Sequence, residues 1–259
     1  MKRWRLIDTG VGLPSYNMAV DEALLHNFNV NDLPIFRLYG WKDSLSFGRF
    51  SDLSQSINLN TMYNKGFSYS RRMTGGGILA HGEDLSYSLI LPRETLKELG
   101  VKKSYYYLCR FLINFYAKLG LKAEFASDLH LESSPSNICM SANEAYDIMI
   151  DGKKIGGNAQ RYTKDALFQH GTIPISLNNE RFQDLFLEDS GLEEMVVLDR
   201  IKKDVLREQL ITLLLEAFSE TFEIHFQNDT LSPLESHNRD ELLKYKYTQQ
   251  SWNIDAKQD

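Results

Sequence analysis

The sequence predicts an α+β fold, and three observations carry that reading. The first 175 residues are dense in short strand-like segments separated by glycine-rich turns. The remainder reads mostly as helix. Between them stands Asp151-Gly152, a strong two-residue hairpin signal between residues 146–150 and 153–160. Strands gathered first and helices gathered later mark an α+β arrangement rather than a strict βαβ alternation.

Residues 4–8 read as a short strand. Ser15 is placed to cap a helix whose apolar side carries Met18, Ala19, Ala23, Leu24 and Phe28. Ile35-Phe36-Arg37-Leu38-Tyr39 alternates as a strand does, and Leu45-Ser46-Phe47 follows as another. Residues 67–73 form a strand running into Thr74-Gly75-Gly76-Gly77, and 85–91 continue the sheet. Ser104 opens a helix to Leu119, with Leu108, Phe111, Leu112 and Phe115 on one side. Lys164-Asp165 turns the chain from the hairpin into residues 166–175. Residues 203–220 and 235–246 form helices, the second soon after Pro233, and the polar end from Asn253 frays. This pattern suggests one domain over 1–200 with a helical extension, 201–259, packed on it.

Composition narrows the function. The chain has 259 residues, 42% of them hydrophobic and 25% charged, which suits a globular protein with one large core. Its longest apolar runs, such as 210–215, are too short to span a bilayer. The basic start Met1-Lys2-Arg3-Trp4-Arg5 leads into no apolar stretch, so no secretory signal and no membrane partner are expected. Cys109 and Cys139 give no disulfide framework, which points to the reducing cytoplasm. A net charge of −6 argues against nucleic acid as a partner.

Four segments carry chemistry. In Arg71-Arg72-Met73-Thr74-Gly75-Gly76-Gly77, three successive glycines let a backbone approach a ligand closely and turn N–H groups toward it. A plain glycine turn between strands is the competing reading. Gly152-Lys153-Lys154-Ile155-Gly156-Gly157-Asn158-Ala159-Gln160 is a glycine-interrupted strand with lysines just after the hairpin. Its small residues leave room for an apolar chain with a lysine at the polar end, although a surface lysine beside a bulge is the commoner fate. Gln169-His170-Gly171-Thr172 places a histidine within a strand, where a singly hydrogen-bonded core histidine is the alternative. Cys139 sits in the polar stretch Ser136-Asn137-Ile138-Cys139-Met140-Ser141, unlike Cys109, which lies within an amphipathic helix and reads as core. A reactive Cys139 thiolate needs a nearby cation, and Lys154 is the candidate.

In this order the segments resemble the catalytic domain shared by lipoate–protein ligases, lipoyl(octanoyl)transferases and, more distantly, biotin–protein ligases. Asn17-Met18-Ala19-Val20-Asp21-Glu22-Ala23-Leu24 is similar to that family's first helix, and Ser46-Phe47-Gly48-Arg49-Phe50 to part of its next strand pair. The resemblance implies a mixed β-sheet flanked by helices. It implies an acyl-binding site built from Arg71, Arg72, Thr74, Gly75, Gly76, Gly77, His81, Gly156, Gly157, Asn158, Ala159 and His170. The family's essential lysine corresponds to Lys154. One transferase branch places a cysteine nucleophile fifteen residues before that lysine, which is the spacing of Cys139 and Lys154. Met140 departs from the aromatic expected after that cysteine, and Tyr146-Asp147 departs from the Asn-Asp pair of the ligases.

For this branch the resemblance implies an octanoyl or lipoyl transferase. It would take the acyl group from the acyl carrier protein thioester, hold it on Cys139, and pass it to a lysine of a lipoyl domain. The glycine-cleavage H protein and a dehydrogenase E2 subunit both remain open as acceptor. No cofactor and no metal are then expected. ATP and Mg would be required only under the alternative of a lipoate–protein ligase. A non-catalytic lipoyl-binding regulator is a third possibility.

Overall fold

The structure, a computed structural model, describes residues 2–129, 145–193 and 195–257. Its strands are β1 (Lys2–Gly12), β2 (Ile35–Trp41), β3 (Ser44–Phe47), β4 (Ser68–Arg71), β5 (Leu79–His81), β6 (Glu83–Pro92), β7 (Ala123–Phe125), β8 (Ile148–Ile150), β9 (Lys153–Lys154), β10 (Gly157–Tyr162), β11 (Ala166–Ser176) and β12 (Ile224–Asp229). Its helices are α1 (Pro14–Asn27), α2 (Leu59–Asn64), α3 (Gly100–Lys118), α4 (Asn179–Phe182), α5 (Leu198–Ile201), α6 (Arg207–Phe222), α7 (Pro233–Leu242) and α8 (Gln250–Asn253). A π-helical turn, Leu243–Tyr247, joins the last two. Among the described residues no helix is long and apolar enough to cross a membrane.

The main sheet has six strands in the order β10-β11-β6-β2-β1-β12. β1 runs parallel to β2 and β12, whereas β2, β6, β11 and β10 pair antiparallel in succession. The fold is thus α+β around a mixed sheet, as the sequence predicts. Two three-stranded sheets, β4-β3-β5 and β7-β8-β9, accompany it.

Alternation along each strand separates the two faces. Leu85, Tyr87, Leu89 and Leu91 of β6 join Phe111 and Phe115 of α3 and Phe218 of α6 in the largest core cluster. On the opposite face Ile90 packs with Val20 and Leu24 of α1, and the Ser88 hydroxyl donates to Asp21 of the same helix at 2.7 Å. α1 is buried along most of its length because α7 covers its outer side. The cap expected from Ser15 is absent. The helix begins at Pro14, whose missing N–H and preset φ suit the first helical position, and no side chain caps it.

Two further expectations change. Asp151 and Gly152 take φ of 51° and 74°, the positive pair a tight hairpin turn requires. However, the strand expected over 153–160 is broken at Gly156, which has φ +74° and lies so close to Thr172 that a Cβ would sit 2.0 Å from its carbonyl oxygen. Lys154 therefore belongs to a small sheet and Gly157 to the main one. The segment from 201 onward carries the expected helices but is not purely helical. Ile224-His225-Phe226-Gln227 alternates, and it forms the edge strand β12 beside β1.

Candidate active site

The glycine loop is laid across the end of β3. Arg72 N–H donates to Phe47 O at 2.7 Å, Arg49 N–H to Thr74 O at 2.7 Å, and Gly48 N–H to Gly77 O at 3.2 Å. The approach is close enough that a Cβ on Gly48 would lie 1.7 Å from Gly76 O. Glycine at 48 is thus as necessary to the loop as the glycines within it.

The two arginines of the motif diverge. Arg72 turns inward and donates to Ser46 O at 2.9 Å, Ser46 Oγ at 2.8 Å and Gly77 O at 2.8 Å. Arg71 turns away and is fully buried. Its guanidinium donates to carbonyls of Gly48, Ser51, Trp252 and Asn253, at 2.8 to 3.2 Å. Burial, then the nearby Arg49 and Arg72 cations, lower its pKa to about 10, so it stays charged at neutral pH. Arg71, expected at the substrate, is not among the described residues lining the cavity below; its donors on these carbonyls tie the C-terminal segment to the loop.

A partly open cavity lies beside the loop. Arg72, Gly75, Gly76 and His81 line one side. Gly157, Asn158, Ala159 and His170 line the other. These eight expected residues therefore converge, from sequence positions that the sheet brings together. Thr74, Gly77 and Gly156 support the walls without lining them.

Both ring nitrogens of each histidine face a polar partner. His81 contacts Ser46 Oγ through Nε2 and Asp84 Oδ2 through Nδ1, each at 2.7 Å, and stacks on Trp41 at a centroid distance of 3.9 Å. His170 contacts Thr74 Oγ1 through Nε2 at 2.8 Å, while Nδ1 lies 3.6 Å from Asp21 Oδ2. That second distance is an electrostatic contact rather than a hydrogen bond. Burial outweighs the pull of Asp21 and holds the pKa of His170 below the usual histidine range.

Lys154 is buried, with its ammonium 2.7 Å from Asp147 Oδ2. It is not among the described lining residues. Asp147, the residue of the Tyr146-Asp147 pair that matches the ligases' Asn-Asp, supplies the lysine with a counter-ion. Cys139 lies outside the described residues. Cys109 is buried in α3, accepts weakly from Gln169 Nε2 at 3.6 Å, and has its thiol pKa pushed up by burial, as befits a core cysteine.

Sequence reasoning missed Tyr39, Trp41, Ser46, Ser86 and Thr172 as lining residues, and Asp84 behind them. A signal existed for some of them. Ser86 and Ser88 interrupt an otherwise apolar strand, and Thr172 shares the face of His170 by period two.

Residues 13–220 match the family described as lipoyl protein ligase A/B catalytic domain. Octanoyltransferase LipM of Bacillus subtilis (strain 168) is 30% identical, over 96% of this chain and 97% of its own. Octanoyltransferase LipM of Geobacillus kaustophilus (strain HTA426) is 32% identical, over 97% and 98% respectively. A solved lipoate-protein ligase A bound with ATP superposes with a TM-score of 0.85 at 27% identity, over 99% of this chain and 100% of that one. A T. acidophilum protein solved with bound lipoic acid gives 0.83 at 25% identity, over 98% and 100%. With the family match spanning most of its length and the family's motifs gathered around one cavity, this chain belongs to the lipoyl protein ligase A/B catalytic domain family.

Proposed function

We propose that the chain is a cytoplasmic octanoyltransferase that carries the acyl group on Cys139. The observation that carries this reading is near-full-length similarity to proteins named octanoyltransferase. The donor in this reading is the octanoyl thioester on the phosphopantetheine arm of acyl carrier protein. The Cys139 thiolate attacks the thioester carbonyl, the pantetheine thiol leaves, and an acyl-Cys139 thioester results. A lysine amine of a lipoyl domain then attacks that carbonyl, forming an amide and releasing the thiol. The first step exchanges one thioester for another and the second runs downhill, so neither needs ATP.

Lys154, steadied by Asp147, is the cation assigned to favour the thiolate and to stabilise the developing oxyanion. Burying an eight-carbon chain in the cavity contributes on the order of 5 kcal/mol at ~0.8 kcal/mol per CH₂. The acceptor class is supported by the solved T. acidophilum lipoate protein ligase described together with its E2 lipoyl domain. A glycine-cleavage H protein would present the same kind of lysine.

The second reading, an ATP-dependent lipoate ligase, draws on the likeness to the ATP-bound ligase. One experiment separates them. The chain is mixed with octanoyl–acyl carrier protein and an apo lipoyl domain, without ATP or Mg²⁺, and the products are weighed by mass spectrometry. Octanoylation of the lipoyl domain is expected, with a hydroxylamine-sensitive adduct on Cys139 when donor alone is present. Loss of both in Cys139→Ala is expected, while Cys109→Ala retains them. A requirement for free acid plus ATP, with Cys139→Ala fully active, would establish the ligase instead.

A further inference from the structure

His81 stands at the centre of a directed hydrogen-bond chain. Arg72 Nη1 donates to Ser46 Oγ at 2.8 Å. That hydroxyl must place its own proton, and His81 Nε2, at 2.7 Å, is its acceptor among the described residues. His81 Nδ1 faces Asp84 Oδ2 at 2.7 Å, so the ring proton belongs on Nδ1 and donates to the carboxylate. A second chain ends on the same oxygen. Trp41 Nε1 donates to Ser86 Oγ at 2.7 Å, Ser86 to Thr172 Oγ1 at 2.9 Å, and Thr172 to Asp84 Oδ2 at 3.0 Å. Asp84 is 2% exposed and Ser46 is fully buried, so each link acts in a medium where an unmet donor is costly.

We infer that Ser46, His81 and Asp84 are positioning residues that aim the Arg72 guanidinium into the acyl cavity. The inference rests on the acyl-transfer reading above and assigns to that site residues beyond the motif. Every link has one direction, from the Arg72 cation to the Asp84 carboxylate. The chain holds one nitrogen of Arg72 against β3, while the other reaches Gly77 O at 2.8 Å, so guanidinium and glycine loop move as one piece. Arg72 is the cationic side chain among the described lining residues. Both terminal nitrogens of Arg72 already donate, to Ser46 and to Gly75 and Gly77, so the guanidinium acts on the carbonyl of an acyl thioester as a fixed positive charge, and that carbonyl's negative charge grows as the thiolate attacks. Serine, histidine and aspartate in this order also make up a hydrolytic triad. Here Arg72 already donates to the Ser46 oxygen, which lowers its nucleophilicity and suits a structural link.

A double-mutant cycle tests the inference. Ser46→Ala, His81→Gln and Arg72→Gln are made singly, and the first two are each combined with the third. Thermal unfolding of every variant confirms that each is folded at the assay temperature. Each single variant is expected to lower kcat on the order of tenfold to 100-fold with little change in KM, since misaimed groups fail chiefly in the transition state. Ser46→Ala and His81→Gln are expected to add nothing once Arg72 is Gln. Losses that multiply, or a rise in KM alone, would overturn the inference.

Two readouts stand apart from turnover. Imidazole nitrogen NMR of the unsubstituted chain is expected to show His81 as the neutral Nδ1–H tautomer, and an Nε2–H tautomer would reverse the chain and sink the inference. Octanoyl-pantetheine binding by calorimetry is expected to stay nearly unchanged in every variant, and a large loss of affinity would overturn the inference. If the unsubstituted chain transfers nothing from the carrier thioester, the acyl-transfer reading fails, while NMR and calorimetry still judge the positioning chain. An ester adduct on Ser46 would show a nucleophile and overturn the positioning role.

Discussion

Adjacent arginines in one motif perform opposite tasks, and side-chain direction alone separates them. Arg71 ends β4 and has donors on carbonyls from two distant segments. Removing it leaves several buried acceptors unmet, each of which costs about 1–3 kcal/mol. Arg71→Met is therefore expected to lower Tm on the order of 10 °C. Arg72→Gln is expected to lower Tm less than Arg71→Met, because an amide can still reach one of its acceptors, yet to lose most transfer activity. Calorimetry and the transfer assay, run on both variants, check the contrast. Equal loss of stability with equal loss of activity would erase the distinction.

At the scale of the element, the glycine loop shows why three glycines are not equivalent to one another or to Gly48. A methyl on Gly48 meets Gly76 O at 1.7 Å and must displace backbone. Gly48→Ala is expected to cost about 1–3 kcal/mol and to disrupt the site. Gly75 has open space around the position of a Cβ and an ordinary φ. Gly75→Ala should leave Tm nearly unchanged, but it lines the cavity, so the methyl takes space from the acyl group. A raised KM for the donor with intact stability is the expected result, and unchanged kinetics would mean that the acyl chain lies elsewhere. The C-terminal segment belongs to the same element-level logic. Lys246 and Tyr247 both bond Glu22 of α1, and Asn253 Oδ1 accepts from Arg71 N–H, so this tail is stitched to the loop it covers.

For the whole molecule, the buried charges between α1 and the sheet set the response to acid. Burial holds the His170 pKa below its usual value against the pull of Asp21. Burial pushes Asp21 up, yet Arg37 and its hydrogen bonds prevail and hold it below the ordinary carboxylate range. In the unfolded chain the two return to about 6.5 and 3.9. Below about pH 6.5 the unfolded chain binds a proton that folded His170 refuses, so stability falls as pH drops toward the folded pKa. Asp21 adds stability that is present above about pH 3.9 and is lost as pH falls through its lower folded value. Both slopes have the same sign. Tm at pH 5 is expected below Tm at pH 7.5, with His170→Gln flattening part of that decline. An unchanged slope in the variant would remove His170 from the account.

Much of this was legible in one dimension. Turn chemistry at Asp151-Gly152 requires positive φ at both residues, and the structure has it. The glycine run and the small residues after Lys154 were recognisable because close backbone approach admits few residue types, whereas His81 and His170 were named through the family resemblance. That the chain belongs to this family followed from such local signals in their order. Other features were decided only by the folded chain. Arg71 and Arg72 are indistinguishable as letters, and their roles separate only when β4 ends and the C-terminal segment arrives beside it. Ser46, Asp84 and Thr172 are ordinary residues in sequence. They become a connected chain because β3, β5, β6 and β11 bring them, with His81 and Ser86, within hydrogen-bond distance, and burial makes each of those bonds costly to lose.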